Sequence, residues 1–238
     1  MVGGDTAQIV DHIVRMIDIP NSESGPESSD ETLVLPDALP VFPLSGALLL
    51  PRGVLPLNIF EPRYLAMIRD AMKGAKAIGI VQPRDPEADP SPLYQVGCAG
   101  RISDFRETGD GRIIVALTGV TRFGIVRELD VTTRYRQVVA DYAPFEDDLE
   151  EPRPVAAAVR AELEAKLRTY LDDQGLSADW EAVSGADDES LVTTLSAVCP
   201  FEPVEKQALL EATDLPARAA TLTALMTFAH GGTADSLQ

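Results

Sequence analysis

The chain has 238 residues, 45% of them hydrophobic, enough for one large domain or two small ones with a real core. It carries 38 acidic against 20 basic residues, a formal net charge of -18. That sign opposes binding built on Lys and Arg neutralising phosphates, so neither nucleic acid nor an anionic membrane surface is expected as a partner.

The first twenty residues carry acids where a signal peptide needs bases, and they lack a long apolar core. No apolar run approaches the ~18 residues of a membrane span. A cytoplasmic protein is expected, with Cys98 and Cys199 as free thiols. Beyond these the only nitrogen or sulfur ligands of note are His12 and His230, and no zinc-ligand spacing results. No metal and no cofactor is expected.

Residues 1–38 read as an extension. Ile9, Val10, Ile13, Val14 and Ile17 recur at helical spacing and predict a short amphipathic helix. "NSESGPESSDET" follows, polar and acidic, with the composition of a disordered linker. From Leu39 short apolar runs alternate with Pro and Gly. "LPVFPL" (39–44) and "VLPLNIF" (54–60) read as strands whose prolines confine them to edges, ends or bulges. Residues 62–73 switch to helical period, with Leu65, Ile68 and Met72 on one face, Pro62 in the first turn and Gly74 just past the end. "KAIGIVQP" (76–83) predicts a buried strand, "RDPEADPSP" an exposed loop, and "YQVGCAGRISDFRE" (94–107) another strand. Asp110-Gly111 is a hairpin signal. "RIIVALTG" (112–119), "TRFGIVREL" (121–129) and "YRQVVADYA" (135–143) complete the set. Short strands at close spacing predict a β-barrel or rolled antiparallel sheet of about six strands with one inserted helix, over residues 39–150. Residues 151–232 then read as a helical subdomain, with helices over 154–175, 187–199, 200–214 and 215–232, the last closed by Gly231-Gly232, and residues 233–238 as a tail. The fold class is therefore α+β.

Catalytic motifs are absent from the sequence. There is no G-x-x-x-x-G-K-[ST] loop, no G-x-G-x-x-G and no G-x-S-x-G elbow. No spacing suggests a Ser–Lys pair, and neither histidine has a nucleophile beside it in sequence. Asp104, Glu107 and Asp110 read as turn chemistry and solvated charge around the hairpin. One cluster invites chemistry: Phe60-Glu61-Pro62-Arg63-Tyr64, at a strand-to-helix junction. A carboxylate at Glu61 favours the helix N-terminus, whereas the same dipole disfavours a cation at Arg63, which needs acceptors nearby. Catalysis would require a third group that the neighbours do not supply, so the cluster is expected to be a polar clamp.

The run "LPVFPLSGALLLPRGVLPLNIFEPRYLAMI" resembles the start of the Lon protease N-terminal, substrate-binding domain. "VGCAGRISDFRETGDGRIIVALTGVTRFGIVREL" is similar to its next signature, with Gly97, Gly100, Asp110-Gly111, Gly119 and Arg122-Phe123. "LVTTLSAVCPFEPVEKQALLEATDLPARAATLTALM" resembles its C-terminal helices. The resemblance implies a PUA-like β-barrel followed by a helical bundle, and a role in engaging unfolded or tagged polypeptides. It also implies a free-standing form, since the ATPase and Ser–Lys peptidase modules of the parent protease have no counterpart among these 238 residues. The leading expectation is a non-catalytic module for polypeptide segments or a protein partner. The alternative is a hydrolase or small-molecule binder using a barrel–helix cleft, with Glu61, Arg63, Tyr64 and Arg122 as its first candidates.

Overall fold

The computed structural model describes residues 35–234. The predicted helix of residues 1–20, its linker and residues 235–238 lie outside them. The described residues fall into two compact units, divided between Glu151 and Pro152.

The first unit contains β1 (Ala38–Pro43), β2 (Val54–Ile59), α1 (Pro62–Lys73), β3 (Ala77–Val81), β4 (Val96–Glu107), β5 (Ile113–Glu128) and β6 (Gln137–Asp141), then a 3-10 segment at Ala143–Leu149. The sheet order is β2-β5-β4-β3-β1-β6, and β5 also pairs with β6. Five strands therefore return on themselves in a closed circuit, with β2 attached to β5. Closure removes the exposed edges that an open sheet would carry.

Three local expectations are corrected. The sheet is antiparallel except for β1 and β3, which run parallel with Val41 opposite Gly79. Parallel pairing needs a crossover, and residues 44–76, including β2 and α1, supply it. The two strands expected at 112–119 and 121–129 are one 16-residue strand. Gly119 pairs with Gly100 and Thr121 with Ala99, so Val120 is an extra residue, a β-bulge that bends β5 without ending it. The buried stripe of α1 is Tyr64, Met67, Ile68 and Ala71, one residue round from the expected face. Tyr64 draws it there: its ring packs on Phe42 with centroids 4.1 Å apart.

The core of this unit gathers Leu39, Val41, Val81, Ala99, Val138 and the fully enclosed Phe123. Glycine makes room for it. A Cβ on Gly97 would lie 2.8 Å from Phe123 Cζ and 2.8 Å from the Ile80 carbonyl oxygen. At Gly119 the approach is backbone to backbone: a Cβ would sit 2.0 Å from the Leu50 oxygen.

The second unit is helical, with α2 (Ala157–Asp173), α3 (Trp180–Gly185), α4 (Asp188–Val198), α5 (Pro203–Glu211) and α6 (Leu215–Ala234). Its termini follow ordinary capping physics. Gly175, at φ 67, ends α2 with Leu176 N–H bonded back to the Leu171 carbonyl and Gly175 N–H to that of Asp172. The Asp187 carboxylate accepts from Ser190 N–H at the start of α4, and Glu202 with Glu205 forms a capping box on α5. The short α3 was not expected; Asp179 caps it, accepting from the N–H groups of Glu181 and Ala182. Gly231-Gly232 does not close the last helix, which runs on to Ala234; glycine inside a helix costs only about 1 kcal/mol relative to alanine. Leu163, Leu167, Leu191, Leu195 and Leu222 form the buried stripes. No helix among the described residues is long and apolar enough to cross a membrane. Both cysteines are free and buried.

Candidate functional site

The strand-to-helix junction is built from β2 and α1. Pro62 is the first residue of α1, where its missing N–H costs nothing, and the Glu61 carbonyl accepts from the N–H groups of Tyr64 and Leu65. The Glu61 side chain does not cap the helix. It accepts instead from Arg63, with Nε at 3.0 Å and Nη2 at 2.9 Å on the same oxygen. Both side chains are about half exposed, 54% for Arg63 and 43% for Glu61. The Arg63 guanidinium lies 4.6 Å from the centroid of the buried Tyr64 ring. Burial, opposed by the Arg63 charge, raises the Tyr64 phenol pKa. Phe60 projects outward at 64% exposure, with Arg112 6.0 Å above its ring.

Asp110 and Gly111 form the β4–β5 hairpin turn. Gly111 takes φ 85, and the Thr108 hydroxyl donates to the Asp110 carboxylate. That bond, then the Arg112 backbone N–H, lowers the Asp110 pKa. Gly97, Gly100 and Gly119 all lie on the strands of the circuit, close-packed by Phe123, Leu49 and Leu50 respectively.

Arg122 belongs to a different cluster. It is 4% exposed, with its guanidinium forked onto Asp148: Nη2 to Oδ1 at 2.7 Å and Nε to Oδ2 at 2.9 Å. Its backbone N–H also donates to Asp148 Oδ2 at 2.8 Å, and its guanidinium lies 4.9 Å from the Phe145 ring centroid. Arg52, at φ 61, donates from Nη1 to the Asp148 carbonyl at 2.7 Å, and Thr121 Oγ1 donates to that of Phe145 at 3.2 Å. Together these bonds fasten the 3-10 segment to β5 and to the turn ahead of β2. The four candidates Glu61, Arg63, Tyr64 and Arg122 thus fall into two groups: one at the junction, with Glu61 and Arg63 half exposed over the buried Tyr64 ring, and a buried one on β5. Asp148 escaped the sequence reading because it sits among Glu146, Asp147, Glu150 and Glu151, with no spacing to distinguish it.

The same unit holds an open cleft of about 450 Å³. Arg63 and Tyr64 of α1 line it with Arg134, Tyr135 and Arg136 ahead of β6, and residues of the Pro83–Ser91 segment contribute the larger share of the rest. Arg136 chelates Glu128 through two 2.6 Å bonds and donates from Nη1 to the Ser91 carbonyl at 2.7 Å. The Tyr135 hydroxyl donates to Asp70 at 3.2 Å; burial, then this bond, raises its pKa. No group of three or more His, Cys, Asp or Glu among the described residues is placed to hold a metal ion.

The chain thus combines a closed β circuit, with a helix inserted after the attached strand β2, and a helical unit that follows it in sequence. Residues 38–227 match the model of the ATP-dependent protease La (LON) substrate-binding domain, and the chain belongs to that family. It is 30% identical over 188 residues to Lon protease 2 of Myxococcus xanthus, covering 77% of this chain and 23% of that protein. Lon protease of Flavobacterium johnsoniae is 28% identical over 220 residues, covering 89% and 26% respectively. The chain thus spans about a quarter of the length of these curated relatives. Its fold is similar to a Lon N-terminal domain protein from Xanthomonas campestris, with a TM-score of 0.58 and 22% identity over 79% of this chain and 97% of that one. The N-terminal domain of Mycobacterium avium complex Lon protease also gives a TM-score of 0.58, at 19% identity over 80% and 98%.

Proposed function

We propose that this chain is a non-catalytic recognition module of the cytoplasm that binds polypeptide segments, unfolded apolar ones among them, or a protein partner in protein quality control. The match of residues 38–227 to a substrate-binding domain family carries this reading. The surface of the β unit supports it. Phe60 and Val54 stand 64% and 48% exposed on β2 and its exit, and covering such side chains contributes about 25 cal/mol per Å² of apolar area removed from water. The clusters at Glu61 and Arg122 support a structural role for these residues, each arginine being taken up by a carboxylate of its own.

Fluorescence anisotropy with a labelled, reduced and denatured apolar-rich polypeptide tests the proposal. Saturable binding at micromolar concentrations is the expected result. A flat titration into the high micromolar range overturns it.

A further inference from the structure

We infer that a second cleft of the β unit, between the start of β1 and the 3-10 segment, selects polypeptide segments in which lysine or arginine stands beside aliphatic residues. The inference rests on the reading of the chain as a polypeptide-binding module and names where, and for what chemistry, this unit would bind.

The cleft has a volume of about 470 Å³, and Leu35, Tyr142 and Leu149 supply its apolar lining with Ala140. Leu149 is 63% exposed, the one apolar side chain in the acidic run from Glu146 to Glu151. Its backbone is held on both sides. Arg122 pairs with Asp148, and Arg52 donates to the carbonyls of Asp148 and Glu150. Tyr142 is held too: its hydroxyl donates to the Pro36 carbonyl at 2.9 Å, and its ring meets Phe123 edge-on at 6.3 Å. A fixed apolar surface has little order left to lose when a ligand covers it.

Asp37, Asp141 and Glu146 also line the cleft, and no Lys or Arg does. Asp141 accepts from the Ala143 backbone N–H, whereas Asp37 and Glu146 have no hydrogen-bond or ion-pair partner among the described residues. The arginines of the surrounding elements do not offset them. Arg122 and Arg52 are engaged as above, and Arg127 of β5 lies outside the lining. The cleft beside α1 carries both signs, Arg63, Arg134 and Arg136 with Glu87 and Asp89. Here a single sign stands over an apolar floor. Three carboxylates on an open surface would be solvated charge alone. Around apolar walls they suit a segment that buries aliphatic carbon while an ammonium or guanidinium reaches the rim, as the stems of Lys and Arg allow. The net charge of -18 adds a longer-range attraction that salt screens.

Three labelled peptides of equal length make the test, Lys/Leu, Ser/Leu and Glu/Leu, titrated by fluorescence anisotropy into the full chain and three variants. Lys/Leu is expected to bind about tenfold tighter than Ser/Leu. D37N/E146Q is expected to remove that advantage and leave Ser/Leu unchanged. E162Q/D172N, which removes two exposed charges from the helical unit, is expected to change neither. L149S is expected to weaken both about threefold. Every substitution falls on an exposed side chain, and a melting curve checks that each variant is folded. Equal binding of Lys/Leu and Ser/Leu, or a preference for Glu/Leu, overturns this inference and leaves the module reading standing. So does a loss as large in E162Q/D172N as in D37N/E146Q, which traces the preference to overall charge. An indifferent L149S overturns it as well, since the aliphatic contact is half of the assignment. Failure of all three peptides and of the denatured polypeptide to bind the wild-type chain overturns both readings.

Discussion

The two units solve the same problem, burying an apolar core, by different means. The β unit joins residues far apart in sequence: Val54 pairs with Thr118, Leu39 with Val138, and Arg122 with Asp148. Its geometry hangs on a few positions that admit no substitute, notably Gly119 against Leu50 and the ion pair that pins the 3-10 segment. The helical unit spreads the task over leucines at helical spacing and caps at the starts of α3, α4 and α5. Its own arginine hub, Arg160, reaches Glu164, Asp188 and the carbonyls of Val183 and Ala186. The hub is redundant and partly wet, since Glu164 and Asp188 remain 30% and 29% exposed, against 8% for Asp148. Two arginines with four or more bonds each therefore differ in what a single deletion does.

The largest effect follows directly. D148A leaves the Arg122 charge buried without its carboxylate, and breaking a buried pair from one side costs about 3–5 kcal/mol. D188A leaves Arg160 its glutamate, its carbonyls and some solvent, and a loss of about 1 kcal/mol is expected. Amide exchange across β5 reports the first. The single tryptophan, Trp180 on α3, stacked 4.1 Å from Arg168, gives a fluorescence signal for the helical unit. Equal losses from the two variants, or a Trp180 transition that moves with D148A as far as the β5 amides do, would break the contrast between the units.

The contrast also explains what could be read in advance. Helices α2, α4, α5 and α6 were legible because apolar period, capping acids and glycine stops are local signals. The β4–β5 hairpin was legible for the same reason, through Asp110-Gly111. Tertiary pairing is not local. Nothing near Val120 marks it as a bulge rather than a break, since Gly119 gives the same punctuation for either. Nothing in a run of acids from Glu146 to Glu151 marks Asp148 as the one that meets Arg122. The parallel β1–β3 pair was missed because short strands divided by turn signals suggest hairpins. The candidate residues at the junction were found by type and position, but their exposure was not legible: Arg63 and Tyr64 are neighbours in sequence, yet one faces water and the other the core.

A smaller effect separates the units by pH. In the helical unit burial pushes the Cys199 thiol up to about 12, against about 9 when exposed, with Lys206 opposing the shift; burial also raises Tyr170 to about 12. In the β unit burial, then the Asp37 charge, raises Tyr142 to about 12 from about 10. Each is a folded pKa above the unfolded one, so its stabilisation is complete below the unfolded value and is lost as pH rises through the folded one. Lys206 has the opposite sign: burial lowers its pKa, so it adds stability as pH climbs towards its unfolded value near 10.5. The cysteine starts first. The Trp180 melting temperature is expected to begin falling near pH 9 in the wild type and only near pH 10 in C199A. Superimposable curves for the two would remove Cys199 from the account.

The smallest effect concerns Glu61 and Arg63. Were they a buried clamp like Arg122–Asp148, removing either would rival D148A. They are half exposed, their bond shares one carboxylate oxygen, and water screens what remains. Measured exposed pairs contribute roughly 0.2–1 kcal/mol, so E61A and R63A should each move the melting transition by no more than about 4 °C. A shift as large as that of D148A would make the junction a second anchor of the β unit. An unmoved transition together with weakened polypeptide binding would overturn the structural reading of Glu61 and Arg63 and leave Asp148 as the anchor of the β unit.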